Sequence, residues 1–231
     1  MSSRTTRRLI GAAALCCIAA AAHAIDLQSL SSSDASAGLR KALDQGIDRA
    51  VGKLGAPDGF LGNPQVKIPL PPKLEKAEGV LRMVGLGDQA DQLVTTMNRA
   101  AEAAVPECRP LLAKALKSMT ISDAKNILTG GDDAATQYFR KATQQPLAEK
   151  FRPIITRETH KLKLADKYDQ IAQKGVALGL LQPEEGSLEG YVTQKTLDGL
   201  FLMIADEERA IRKDPLGQAS SLLKKVFGAV Q

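Results

Sequence analysis

The chain has 231 residues and a formal net charge of +5, a length that suits one domain or two tightly joined lobes and can bury roughly 70% of the unfolded surface. There is no Trp, and only five Phe and three Tyr, so the aromatic faces on which nucleic acids stack are scarce. Charges of both signs are scattered without a basic block, which speaks against nucleic acid as a partner.

Residues 1–24 read as a signal peptide. Arg4, Arg7 and Arg8 form a basic start, Leu9 to Ala22 an apolar run, and Ala22-His23-Ala24 a small-residue cleavage site. The apolar run is too short to span a membrane, and the mature chain is expected to have no transmembrane segment. Cleavage near Ala24 removes three arginines and no acids, taking the net charge from +5 to +2. It also removes Cys16 and Cys17, leaving Cys108 alone and an internal disulfide impossible. Cys108 is expected to be a small buried hydrophobe.

Residues 25–35 are Ser-rich and read as a flexible lead-in, with Asp34 or Ser36 available to cap the first helix. The helical domain is expected over residues 36–229. From 37 to 54, Leu39, Leu43, Ile47, Ala50, Val51 and Leu54 recur every three or four positions, the stripe of an amphipathic helix. Gly55-Ala56-Pro57 stops it.

Residues 55–72 hold five of the eleven prolines, too many for a helix or a central strand. In Val66-Lys67-Ile68-Pro69-Leu70 the apolar residues alternate, which fits an extended strap with one face on the helices. The strap reads as a structural belt or as a contact surface for a ligand or partner; on the second reading Phe60, Val66, Ile68 and Leu70 make the contact.

Pro72 opens a helix carrying Leu74, Ala77, Leu81 and Val84, and Asp88 caps a longer one through Leu93, Met97 and Ala104. Pro106 and Pro110 break or kink that helix around Cys108. Thr120 and Asp123 have the spacing of a capping box ahead of a short helix. Asp132 is expected to cap the next helix, with Phe139 inward, and Pro146 to begin another that kinks at Pro153. Residues 164–181 read as a further amphipathic piece. Residues 188–213 are apolar nearly all round near Phe201, which places them at the centre of the bundle. Pro215 ends that helix and Leu222 to Phe227 close the chain. The fold class is all-α: a compact multi-helix bundle around a buried C-terminal central helix, with one long Pro-rich strap.

Several runs are characteristic together: Gly38-Leu39-Arg40-Lys41-Ala42-Leu43 with Ile47-Asp48-Arg49-Ala50-Val51; Asn63-Pro64-Gln65-Val66-Lys67-Ile68-Pro69-Leu70-Pro71; Met97-Asn98-Arg99-Ala100-Ala101-Glu102; Asp132-Asp133-Ala134-Ala135-Thr136-Gln137-Tyr138-Phe139; and Tyr191-Val192-Thr193-Gln194-Lys195-Thr196-Leu197-Asp198-Gly199-Leu200-Phe201. The chain resembles the bacterial domain-of-unknown-function family 4197 over roughly residues 35–228. The resemblance implies a small exported helical protein, mainly of Gram-negative bacteria, and no activity or ligand. With the leader, it points to the periplasm, or alternatively to secretion.

Chemistry-bearing residues are few. With His23 in the leader, His160 stands alone and is expected to face solvent; a zinc site built from one His and one Cys would be short of ligands unless carboxylates filled in, and neither metal nor cofactor is expected. Asp206, Glu207 and Glu208 are consecutive and must diverge around a helix. Glu208 and Arg212 read as a surface pair worth a few tenths of a kcal/mol. The remaining route to catalysis is Asp198 in an apolar run with Lys195 three residues earlier, Asp206 two turns on, and Arg99. The favoured function is therefore a non-catalytic binding or structural module of the cell envelope, taking a partner protein or an apolar small molecule. The alternative is an enzyme built on those carboxylates and the lysine.

Overall fold

The computed structural model describes residues 32–76, 78–161 and 186–213, with Asp166, Tyr168, Asp169, Gln173 and Ala177 between them. The expected leader, the closing helix and most of the 164–181 piece lie outside the described residues. Within them the chain is helical with no strand, and the helices with defined bounds are α1 (Ser32–Gly55), α2 (Pro72–Lys76), α3 (Glu78–Met83), α4 (Gly87–Ala104), α5 (Arg109–Ser118), α6 (Ile121–Thr129), α7 (Ala134–Thr159) and α8 (Leu188–Lys213), with a 3-10 turn at Val105–Cys108 between α4 and α5.

The centre is α8. Fifteen of its 26 residues are buried, including Val192, Leu197, Leu200, Phe201 and Ile204, so the all-round apolar pattern near Phe201 does mark the core; Leu202 is the exception at 39% exposed. α7 lies antiparallel to it. Glu208 near the end of α8 meets Ala135 and Thr136 at the start of α7, and the Arg140 guanidinium sits 4.6 Å over the Phe201 ring midway. On another side α1 packs along α8, close enough that a Cβ at Gly46 would stand 3.3 Å from Ile211. There Glu207 accepts hydrogen bonds from Arg49 at 2.6 Å and Lys53 at 2.7 Å. Burial alone would raise the Glu207 carboxyl, but these two cations bring it below its ordinary value. Asp206, Glu207 and Glu208 thus go to three different partners: Arg209, α1 and α7.

The strap over residues 56–71 keeps the expected alternation: Val66, Ile68 and Leu70 are buried, while Lys67 and Pro69 face solvent. Its polar backbone groups are met by α4. The Asn98 amide accepts from the Ile68 N–H at 2.8 Å and donates to the Ile68 carbonyl at 2.8 Å, as a neighbouring strand would. Glu102 accepts from the N–H groups of Phe60 and Leu61 at 3.0 and 3.1 Å. Two glycines allow this course. A Cβ at Gly59 would lie 2.3 Å from the Lys53 carbonyl oxygen, and one at Gly199 would lie 2.8 Å from the Phe60 ring, so α8 presents bare backbone for Phe60 to rest on.

Several local expectations are corrected. The first helix begins at Ser32, so Ser32–Ala35 belong to α1 rather than to a lead-in, and Asp34 and Ser36 lie inside the helix. After Pro72 the helices α2 and α3 lie on either side of Ala77, which is outside the described residues, and neither buries a residue. Asp88 is not the cap of α4: Leu86 holds that position without a side-chain bond. The Thr120–Asp123 capping box is present. α7 runs unbroken through Pro146 and Pro153. Each proline removes one helical hydrogen bond, and the fully buried Phe139, Leu147, Phe151 and Ile155 on the same helix offset that loss. Nor do Asp132 or Asp133 cap it through a side chain; Glu208 does, from 72 and 73 residues away. Glu208 is itself 3% exposed, so its pair with Arg212 is buried rather than a surface pair. Cys108 is fully buried, and burial pushes its thiol up to about 12, the behaviour of a small hydrophobe.

Candidate functional site

Where α7 and α8 run side by side they leave a groove of ≈ 950 Å³, within the range of small-molecule sites. The helical repeat places its walls. Gln145, Glu149, Arg152 and Thr156 recur at four-, three- and four-residue steps along α7, and on α8 Gly190 and Leu197 each lie three or four residues from the adjacent pair Thr193 and Gln194. The groove is a mixture of polar groups and short apolar ones (Ala148, Pro153 and Leu197), with Arg152 and Arg157 set against Glu149.

Some of these polar groups are already committed. Gln145 donates to Glu149 at 3.1 Å and Arg157 to Glu158 at 3.1 Å. Others are free. Arg152 and Gln144 have no ion-pair or hydrogen-bond partner among the described residues. Thr193 is 3% exposed, yet its hydroxyl has no hydrogen-bond partner among the described residues. The buried hydroxyls of Thr143, Thr159 and Thr196 instead donate to the carbonyl four residues back, at 2.7, 3.0 and 2.7 Å.

At the end of the groove, where Thr156 faces Gly190, three titratable side chains meet. His160 caps the C-terminus of α7, Glu189 stands in the first turn of α8, and Asp169 accepts the Leu188 N–H at 2.7 Å. One ligand atom from each lies within 4.8 Å of the others, a grouping that could hold a metal ion. Burial raises the Asp169 carboxyl above its ordinary value, against the bond from Leu188, and the negative Glu189 adds to the rise.

The residues proposed from sequence fall elsewhere. Lys195 and Asp198 do share a smaller cavity, ≈ 330 Å³, under the strap with Leu70, Glu75, Tyr191 and Gln194. Asp198, however, is engaged by Gln194 at 3.0 Å and by Arg140 at 3.5 Å, and the Lys195 ammonium lies 5.8 Å over the Tyr191 ring. Asp206 stands about 12 Å further along the helix, paired with Arg209. Arg99 is on α4, held by Glu102 at 2.6 Å and Asp58 at 2.8 Å. The four do not converge. Of the strap residues, Phe60 and Ile68 are at most 1% exposed and Val66 and Leu70 at most 7%; their apolar faces are spent on the core, and Leu70 also lines two small cavities. His160 is exposed as expected, but not isolated. Neither the groove nor this cluster has a local sequence signal: the groove joins positions brought together by the antiparallel packing of α7 on α8, and the cluster adds Asp169 from the segment between them.

A family model described as a protein of unknown function, DUF4197, matches residues 29–228. No curated protein and no solved structure matches the chain.

Proposed function

The chain belongs to the DUF4197 family, and from its geometry we propose a non-catalytic binding module of the cell envelope whose α7–α8 groove takes a small acidic, hydrogen-bonding molecule. The observation that carries this reading is the set of uncommitted polar groups along one groove: the unpaired Arg152, the free Gln144 amide and the buried, unbonded Thr193 hydroxyl. Buried polar groups are ordinarily satisfied, and an arginine that forms no ion pair among the described residues is a ready anion partner. The groove replaces the strap as the contact surface because the strap's apolar side chains already face inward. A polar ligand accordingly replaces the apolar one. The periplasmic address rests on the leader read at residues 1–24. No bond-making step is assigned, since Lys195, Asp198, Asp206 and Arg99 do not share one cavity.

Native mass spectrometry of the protein purified from its own cell envelope tests the reading. The expected result is a small-molecule adduct that falls at least tenfold in occupancy in Arg152→Glu, about 1.4 kcal/mol of affinity. Arg152 is exposed, so the variant should fold normally. A wild-type chain at its bare mass, or an adduct retained undiminished in the variant, would overturn it.

A further inference from the structure

The geometry points to a divalent transition-metal site of the zinc or manganese type at His160, Asp169 and Glu189, beyond the groove and not dependent on its occupancy. Three separate pieces of chain bring these ligands together: the C-terminal cap of α7, the first turn of α8, and Asp169 from the segment between them. Their ligand atoms lie within 4.8 Å of one another. The His160 Nε2 stands 3.8 Å from the Glu189 Oε2, a separation that two ligands each about 2.1 Å from one ion span at an obtuse angle.

A second observation supports the cluster independently of its shape. The Glu189 Oε2 is buried and accepts no hydrogen bond among the described residues. A buried carboxylate oxygen without a donor is costly, and this one has a second carboxylate beside it. Among the described residues no lysine or arginine pairs with either acid; their recorded partners are His160 and the Leu188 N–H. Asp169 gives one oxygen, Oδ1, to that N–H, which leaves it another to offer. A single cation at the centre would answer both the unbonded oxygen and the paired negative charges.

The donor set selects the class of ion. One imidazole nitrogen with two carboxylate oxygens suits zinc or manganese. Calcium takes an all-oxygen shell, whereas one of the three donors here is the His160 imidazole nitrogen. The Cys108 thiol that a softer ion would prefer is buried in the core.

Calorimetric titration of EDTA-stripped full-length protein with zinc chloride, and separately with manganese chloride, tests the site. We expect saturable binding of at least one of the two ions. His160→Ala and Glu189→Gln should each weaken that binding at least tenfold, and Asp169→Asn, which keeps the cap on Leu188, should also weaken it. His160 is half exposed, so its removal should leave the far-ultraviolet circular dichroism unchanged and separates loss of a ligand from loss of fold. Binding of neither ion, or binding unchanged in both His160→Ala and Glu189→Gln, would overturn the assignment.

Discussion

Replacing Glu208 with alanine should lower the unfolding free energy by about 3–5 kcal/mol, the range for removing one partner of a buried ion pair. The carboxylate is 3% exposed and accepts five hydrogen bonds. The Ala135 N–H, the Thr136 N–H and the Thr136 hydroxyl each donate at 2.9 Å. Arg212 donates from Nε at 3.1 Å and from Nη2 at 2.7 Å. Alanine leaves two buried N–H groups at the start of α7 unmet and takes the carboxylate away from a largely buried guanidinium, which also donates to the Ile127 carbonyl. It also removes a negative charge from the positive end of the α7 dipole. Urea unfolding monitored by circular dichroism measures the loss. A change below about 1 kcal/mol, the scale of a surface pair, would mean that Glu208 does not tie the two central helices together.

The second large effect concerns the strap. Asn98→Ala should cost about 2–4 kcal/mol, because it leaves both the N–H and the carbonyl of Ile68 buried without partners, each worth roughly 1–3 kcal/mol. Asn98 is fully buried, and no other group is recorded as bonding to either Ile68 atom. The loss should be local as well as global: limited trypsin digestion should cut after Lys67 in the variant well before it cuts the wild type. A variant as stable and as resistant as the wild type would show that burial of Val66, Ile68 and Leu70 holds the strap without the amide.

The two variants also mark how far the sequence could be read. Alternation in residues 66–70 indicates one buried face, and it holds; but the same alternation suits a belt and a ligand contact equally. The groups that meet the strap's backbone, Asn98 and Glu102, lie thirty and more residues along the chain. Both lie in the run 97–102, one of those that carry the resemblance to DUF4197, yet their partners cannot be read from that run. The capping box at Thr120 and Asp123 was legible because both halves lie within three residues. The cap of α7 was not, since its acceptor lies 72 residues away and two aspartates stood in the expected place. Pro146 and Pro153 mislead for a related reason: the local cost of a proline is certain, while the burial that offsets it depends on α8 lying against α7. The groove and the His160–Asp169–Glu189 cluster follow from that same packing and leave no spacing to detect.

The binding face, groove rather than strap, is most directly tested by hydrogen exchange with mass spectrometry. Protein isolated with its adduct from the cell envelope would be compared with the same protein stripped by unfolding and refolding. Slower exchange in the adduct-bearing sample at residues 144–157 and 190–197, with residues 60–70 unchanged, is the expected result. Slower exchange confined to residues 60–70, or no difference anywhere, would contradict it.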